Sequence, residues 1–107
     1  MTRSAADPLD AQFQNIWDGM NAALLAGDKV TALSFLTVSA QRKYESVFDR
    51  LLPYIPQIIV SYSPLQRVSV SADFGEYAIM RVIDGQLRLF LIYFLKDPDG
   101  VWHLDAM

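Results

Sequence analysis

The chain has 107 residues, 52% hydrophobic and 20% charged, a composition that leaves room for one packed domain and excludes a chain disordered throughout. Nine Lys and Arg against twelve Asp and Glu give a net charge of -3, and the basic residues form no run. This argues against a nucleic-acid partner, which needs a clustered positive surface. With no Cys and a single His, a disulfide framework, a thiolate nucleophile and a Cys-ligated or multi-His metal site within one chain are excluded. No cofactor is implied.

The first residues, MTRSAADP, are polar and lack an apolar signal-peptide core, so no leader is expected in this chain, and an exported mature domain remains compatible with it. Residues 1–7 read as a disordered tail and 8–107 as a single domain. Asp7 followed by Pro8 marks a helix start, a capping carboxylate before a proline at the first helical position. Phe13, Ile16, Trp17, Met20 and Leu24 then share one helical face, and Gly27 ends it. Asp28 caps a short second helix with Val30, Leu33 and Leu36. Thr37 or Ser39 starts a third, its apolar stripe Ala40, Tyr44, Val47, Phe48 and Leu51, with Arg42, Lys43, Glu45, Asp49 and Arg50 facing water. Pro53 and Pro56 interrupt it.

The period then changes. Val68, Val70 and Ala72 alternate with serines as a half-buried strand. After a turn near Phe74 and Gly75 come a strand to Ile83, the hairpin turn Asp84-Gly85, and a strand from Gln86 to Lys96. Asp97-Pro98-Asp99-Gly100 suits a type I turn with a glycine bulge before a last strand, Val101 to Ala106. The expected architecture is α+β, with three N-terminal helices on a four-stranded antiparallel meander. The longest apolar run, Leu89 to Leu95, is seven residues, against about 20 for a membrane span.

A two-residue Asp84-Gly85 loop sets Ile83 against Gln86, Arg81 against Arg88 and Tyr77 against Ile92. One hairpin face then carries Tyr77, Ile79, Arg81, Arg88, Phe90, Ile92 and Phe94. The other carries Ala78, Met80, Val82, Leu87, Leu89, Leu91, Tyr93 and Leu95. Both are apolar, whereas an antiparallel sheet usually keeps one face wet. Either a second copy of the chain covers the leucine face, making a homodimer whose interface includes Leu89, Leu91, Tyr93 and His103, or the segment from Pro53 to Tyr62 wraps across it. A glycine bulge at Gly100 puts Trp102 and Leu104 on the Tyr77 face and His103 with Asp105 on the leucine face; without it the assignment reverses.

Arg81 and Arg88 as direct cross-strand neighbours form an unfavourable pair unless something negative lies between them. Either they hold a small anionic ligand, or Asp18, Asp49 or solvent balances them, or both splay outward at the hairpin tip. His103 with Asp105 on one strand face could pair a base with its orienting carboxylate, but i and i+2 side chains stand about 7 Å apart, and a surface or interface histidine reads better. Trp17, Phe48, Phe90 and Trp102 read as core.

The helix around Trp17, the tract AALLAGDKVTALSFL, the helix SAQRKYESVFDRL and the ending YFLKDPDGVWHLDAM together resemble the nuclear-transport-factor-2-like (cystatin-like α+β) superfamily, in particular small bacterial members. The resemblance implies a curved sheet wrapped on a long helix as a cone with a ligand pocket, often paired through the sheet. Members include steroid isomerases, dehydratases and polyketide cyclases alongside noncatalytic binding domains. It implies for this chain a noncatalytic ligand-binding or association module. The alternative is an isomerase-, dehydratase- or cyclase-type enzyme using Tyr and Asp, in which Tyr44, Tyr77 or Tyr93 donates to a substrate oxygen. The expected ligand contacts are Tyr44, Tyr77, Arg81 and Arg88.

Overall fold

Pro8 opens the first helix, α1 (Pro8–Leu25), in a computed structural model that describes residues 8–107. The tail read at residues 1–7 and the Asp7 cap lie outside the described residues. Phe13, Trp17, Met20 and Leu24 are buried along one face, as their spacing requires. In α2 (Lys29–Ser34), Asp28 caps the helix by accepting from the Thr31 backbone N–H at 3.1 Å and the Thr31 hydroxyl at 2.6 Å. The stripe expected here is only partly formed: Val30 is exposed, Leu33 half-buried, and Leu36 is buried beyond the helix end. A six-residue helix is too short for the 3.6 period to settle which face is covered.

Thr37 caps α3 (Val38–Leu51), its Oγ1 accepting from the Ala40 N–H at 3.2 Å. Ala40, Tyr44 and Phe48 are buried, Val47 and Leu51 half-buried, and the five charged residues of the opposite face are exposed. Pro53 and Pro56 do not end the helical half. They sit in the first turns of a 3-10 helix (Leu52–Tyr54) and of α4 (Ile55–Ile59), where a missing N–H costs nothing.

The sheet is a four-stranded antiparallel meander, β1 (Gln66–Val70), β2 (Phe74–Ile83), β3 (Gln86–Lys96) and β4 (Trp102–Ala106), in that spatial order. The chain is thus α+β, helices followed by sheet. Asp84 and Gly85 take φ of 52° and 77°, the type I′ geometry, and the β2–β3 register follows from it: Arg81 opposite Arg88, Tyr77 opposite Ile92. β1 departs from expectation. A bulge between Arg67 and Ser69 breaks the alternation, Val68 is exposed, Ala72 lies outside the strand, and the turn falls before Phe74, where the Ser71 N–H bonds the Phe74 carbonyl at 2.8 Å.

At the last turn the Asp97 carboxylate accepts from the backbone of Asp99 and Val101, and Gly100 takes a φ of 84°. Leu104 faces Phe94 and Trp102 faces Lys96, so both join the Tyr77 face, the bulged alternative. A second irregularity between Tyr93 and Phe94 leaves Asp105 without a cross-strand partner. Asp105 therefore does not join His103 on the leucine face: its carboxylate accepts from the Thr37 hydroxyl at 2.9 Å. Leu36 also bridges Leu104 in parallel, tying the α2–α3 junction to the sheet edge.

The core lies between α1, α3 and one sheet face. Phe13 is its centre, stacked on Phe94 at 4.6 Å and meeting Trp102 at 4.7 Å and Tyr77 at 5.1 Å edge-on. Among the described residues no helix is long and apolar enough to cross a membrane.

Candidate functional site

Two surfaces of the sheet remain to be accounted for. On the inner face, beyond the Phe13 cluster, the helices and sheet leave a cavity of about 200 Å³ walled by Trp17, Tyr44, Phe48, Tyr62, Phe90 and Ile92, with Arg81 among the lining residues. Arg81 reaches this position because its strand alternation aims it inward with Tyr77 and Ile79. Its Nε donates to Ser61 Oγ at 2.7 Å and its guanidinium lies 5.7 Å from the centre of the Tyr62 ring. Tyr62 in turn packs on Trp17 at 5.4 Å, and burial raises its hydroxyl pKa above the usual range despite the Arg81 charge. Tyr44 is spoken for: its hydroxyl donates to the Met107 carbonyl at 3.2 Å and accepts from the Met107 N–H at 3.0 Å.

Of the four expected ligand contacts, Tyr44 and Arg81 line the cavity and Tyr77 and Arg88 do not. Tyr77 is a core residue whose hydroxyl donates to Asp10, and Asp10 also receives Arg67 Nε at 2.9 Å. Burial, then the Asp10 contact, pushes the Tyr77 hydroxyl well above its usual pKa. This is a Tyr–Asp pair, but it joins the first turn of α1 to β2 rather than facing a cavity. Arg88 stands opposite Arg81, exposed, its guanidinium donating to Gln86 Oε1 at 3.1 Å. The carboxylates considered as counter-ions are engaged elsewhere, Asp49 with Lys29 at 2.9 Å and Asp18 with Gln14 at 2.9 Å. Trp17, Phe48 and Phe90, read as core, form cavity wall as well, and Phe90 is only half-buried.

A larger open groove of about 620 Å³ runs outside Trp17, past Gln14, Asp18, Asn21 and Ser63. Its polar side chains are already bonded: Gln14 bridges Asp18 and the Leu65 N–H, and Asn21 donates to the Trp17 carbonyl.

The outer face is the second surface. Val82, Leu87, Leu89 and Leu91 are exposed by 60, 68, 62 and 37%. The alternative cover, residues 53–62, does not reach them. That segment packs on the helix side, Ile55 in the core and Tyr62 on Trp17, while Ser63 follows the β2 edge through the Met80 carbonyl and N–H. At the margins of the face Tyr93 stacks on Phe74 at 5.6 Å and His103 Nδ1 lies 3.6 Å from Asp97. His103 and Asp105 are thus turned to different partners. The inner cavity depended on residues 61 and 62, whose position no local pattern in the sequence signals.

No protein-family model matches the chain, and no curated protein is significantly similar to it.

Proposed function

We propose that this chain is a noncatalytic module that pairs with a second copy through the outer face of its sheet. The observation that carries the reading is the uncovered row of Val82, Leu87, Leu89 and Leu91 on the two longest strands. Isolated exposed leucines are ordinary, but a contiguous apolar face is a contact surface. Strands of five, ten, eleven and five residues, at about 3.4 Å per residue and about 4.8 Å between strands, cover roughly 500 Å² in projection. The accessible area of a corrugated face is larger, which brings it toward the roughly 800 Å² per partner of a standard interface.

A second copy is the occupant this surface suits. The hairpin half of the face holds Met80, Val82, Leu87, Leu89 and Leu91, and Glu76 and His103 lie in the other half, where all four strands pair. A two-fold axis through the hairpin half sets like on like, which an uncharged patch tolerates and a charged one does not. The pairing agrees with a nuclear-transport-factor-2-like reading, in which three N-terminal helices fill a cone-like roll whose outer sheet faces meet.

The inner cavity favours a compatible second role, the binding of a small ligand. Trp17, Tyr62 and Phe90 give it largely apolar walls and Arg81 a single charged anchor, the usual composition of a ligand pocket. The isomerase-type alternative needs an Asp beside a Tyr in that cavity; Asp10 and Tyr77 meet elsewhere and are tied to Arg67.

The test of pairing is the melting temperature against protein concentration. A folded pair melts higher as concentration rises, by mass action. Leu89→Glu, which puts a charge at the centre of the face without touching the core, should remove that dependence; a wild-type melt independent of concentration would refute the reading.

A further inference from the structure

We propose that the inner cavity takes a small apolar monocarboxylate, its body against Trp17, Phe48 and Phe90 and its carboxylate held by Arg81. The proposal rests on the reading of the cavity as a ligand pocket and adds the ligand's charge and the end by which it is held. Arg81 is half-buried and positioned, with Nε bonded to Ser61 and the plane near Tyr62, and its two terminal nitrogens have no acceptor among the described residues. Arg88 faces it across the hairpin. In a chain with twelve carboxylates, the ion pairs among the described residues gather on Lys29, Arg67 and His103, and none reaches either of these arginines.

A like-charge pair directly across a ladder is unfavourable, and a partly buried guanidinium without a counter-ion adds to the cost. A carboxylate on Arg81 supplies the missing counter-ion and offsets part of the repulsion, since the guanidinium fork matches its two oxygens. The remaining walls are apolar and aromatic, so the rest of the molecule is a hydrocarbon. At about 200 Å³ the space falls below the usual range for drug-sized ligands, roughly 300–1,000 Å³, and this limits the ligand to a medium-chain or single-ring acid. A phosphate monoester would present three oxygens, for which the lining offers no further cation.

The experiment titrates octanoate, its neutral analogue 1-octanol and inorganic phosphate into the wild type, Arg81→Gln, Arg81→Lys and Arg88→Gln, followed by tryptophan fluorescence, with Trp17 in the cavity wall as the responding group beside Trp102 in the core. The expected result is saturable octanoate binding at least tenfold tighter than 1-octanol in the wild type. Arg81→Gln should lose that preference while binding 1-octanol as the wild type does, and Arg88→Gln, whose side chain lies outside the cavity, should keep it. Arg81→Lys, which keeps the charge but loses the fork, keeps the test valid if Arg81→Gln folds poorly, since it should weaken octanoate binding and leave 1-octanol binding unchanged. Equal affinity for octanoate and 1-octanol would overturn the charge assignment and leave the pocket standing. Binding of neither would overturn the pocket reading and the proposal with it. Phosphate displacing octanoate at equal concentration would overturn the carboxylate in favour of a phosphate site.

Discussion

Arg81 stands directly opposite Arg88 across the β2–β3 hairpin, in a register fixed by the Asp84-Gly85 turn, and neither meets a carboxylate of the described residues. A chain of net charge -3 keeps two guanidiniums together while its acids pair elsewhere. Such an arrangement lowers stability, and the proposed ligand anion would offset that cost only when bound.

Arg88→Glu should therefore stabilise the unliganded protein. Replacing a like-charge neighbour by an opposite one across a ladder is worth about 1 kcal/mol, read as a higher urea midpoint at unchanged slope. Because Arg88 is exposed, the gain should shrink at high salt. A variant equal to or less stable than the wild type at low salt would show that the pair carries no strain.

Tyr77 and Asp10 join the start of α1 to the middle of the sheet. Tyr77→Phe keeps the buried ring and removes the hydroxyl, leaving Asp10 to Arg67; loss of a hydrogen bond to a charged acceptor should cost about 2 kcal/mol in urea unfolding. Burial of the hydroxyl, together with the same contact, sets a pH dependence. The folded hydroxyl holds its proton to higher pH than the unfolded one, so the unfolded state binds fewer protons above about pH 10 and stability falls there. The alkaline fall should be shallower in Tyr77→Phe, and an identical slope in both proteins would refute this origin.

Thr37 serves two partners, accepting from the Ala40 N–H and donating to Asp105. Thr37→Val preserves shape and removes both bonds, for an expected loss of about 1–2 kcal/mol by chemical denaturation, whereas Thr37→Ser should lose little. If Val and Ser behave alike, the hydroxyl is not what holds α3 to β4.

Where one turn or one period decides the structure, the sequence was legible. Asp84-Gly85 allows a two-residue loop, and from it every pairing of β2 with β3 follows, including the arginine pair and the two apolar faces. The α3 stripe from Ala40 to Leu51 likewise follows from its spacing. What could not be read depends on contacts between distant segments. Asp105 turns to Thr37 because Leu36 bridges Leu104 at the sheet edge, and Asp10 finds Tyr77 because α1 crosses the sheet. The cavity is completed by Tyr62, and Arg81 is held in its wall by Ser61, both carried there by a proline-interrupted segment with no period of its own. Alternation in Val68, Val70 and Ala72 misled because β1 is an edge strand with a bulge, where burial on one face is not enforced.

The outer apolar face is the feature on which the proposed function stands, and mass in solution tests it most directly. Light scattering on the eluting wild-type protein should give twice the chain mass of 12.1 kDa, and Leu89→Glu should give the single-chain mass with an unchanged circular dichroism spectrum. A wild-type protein that elutes at the single-chain mass across the accessible concentration range would contradict the account.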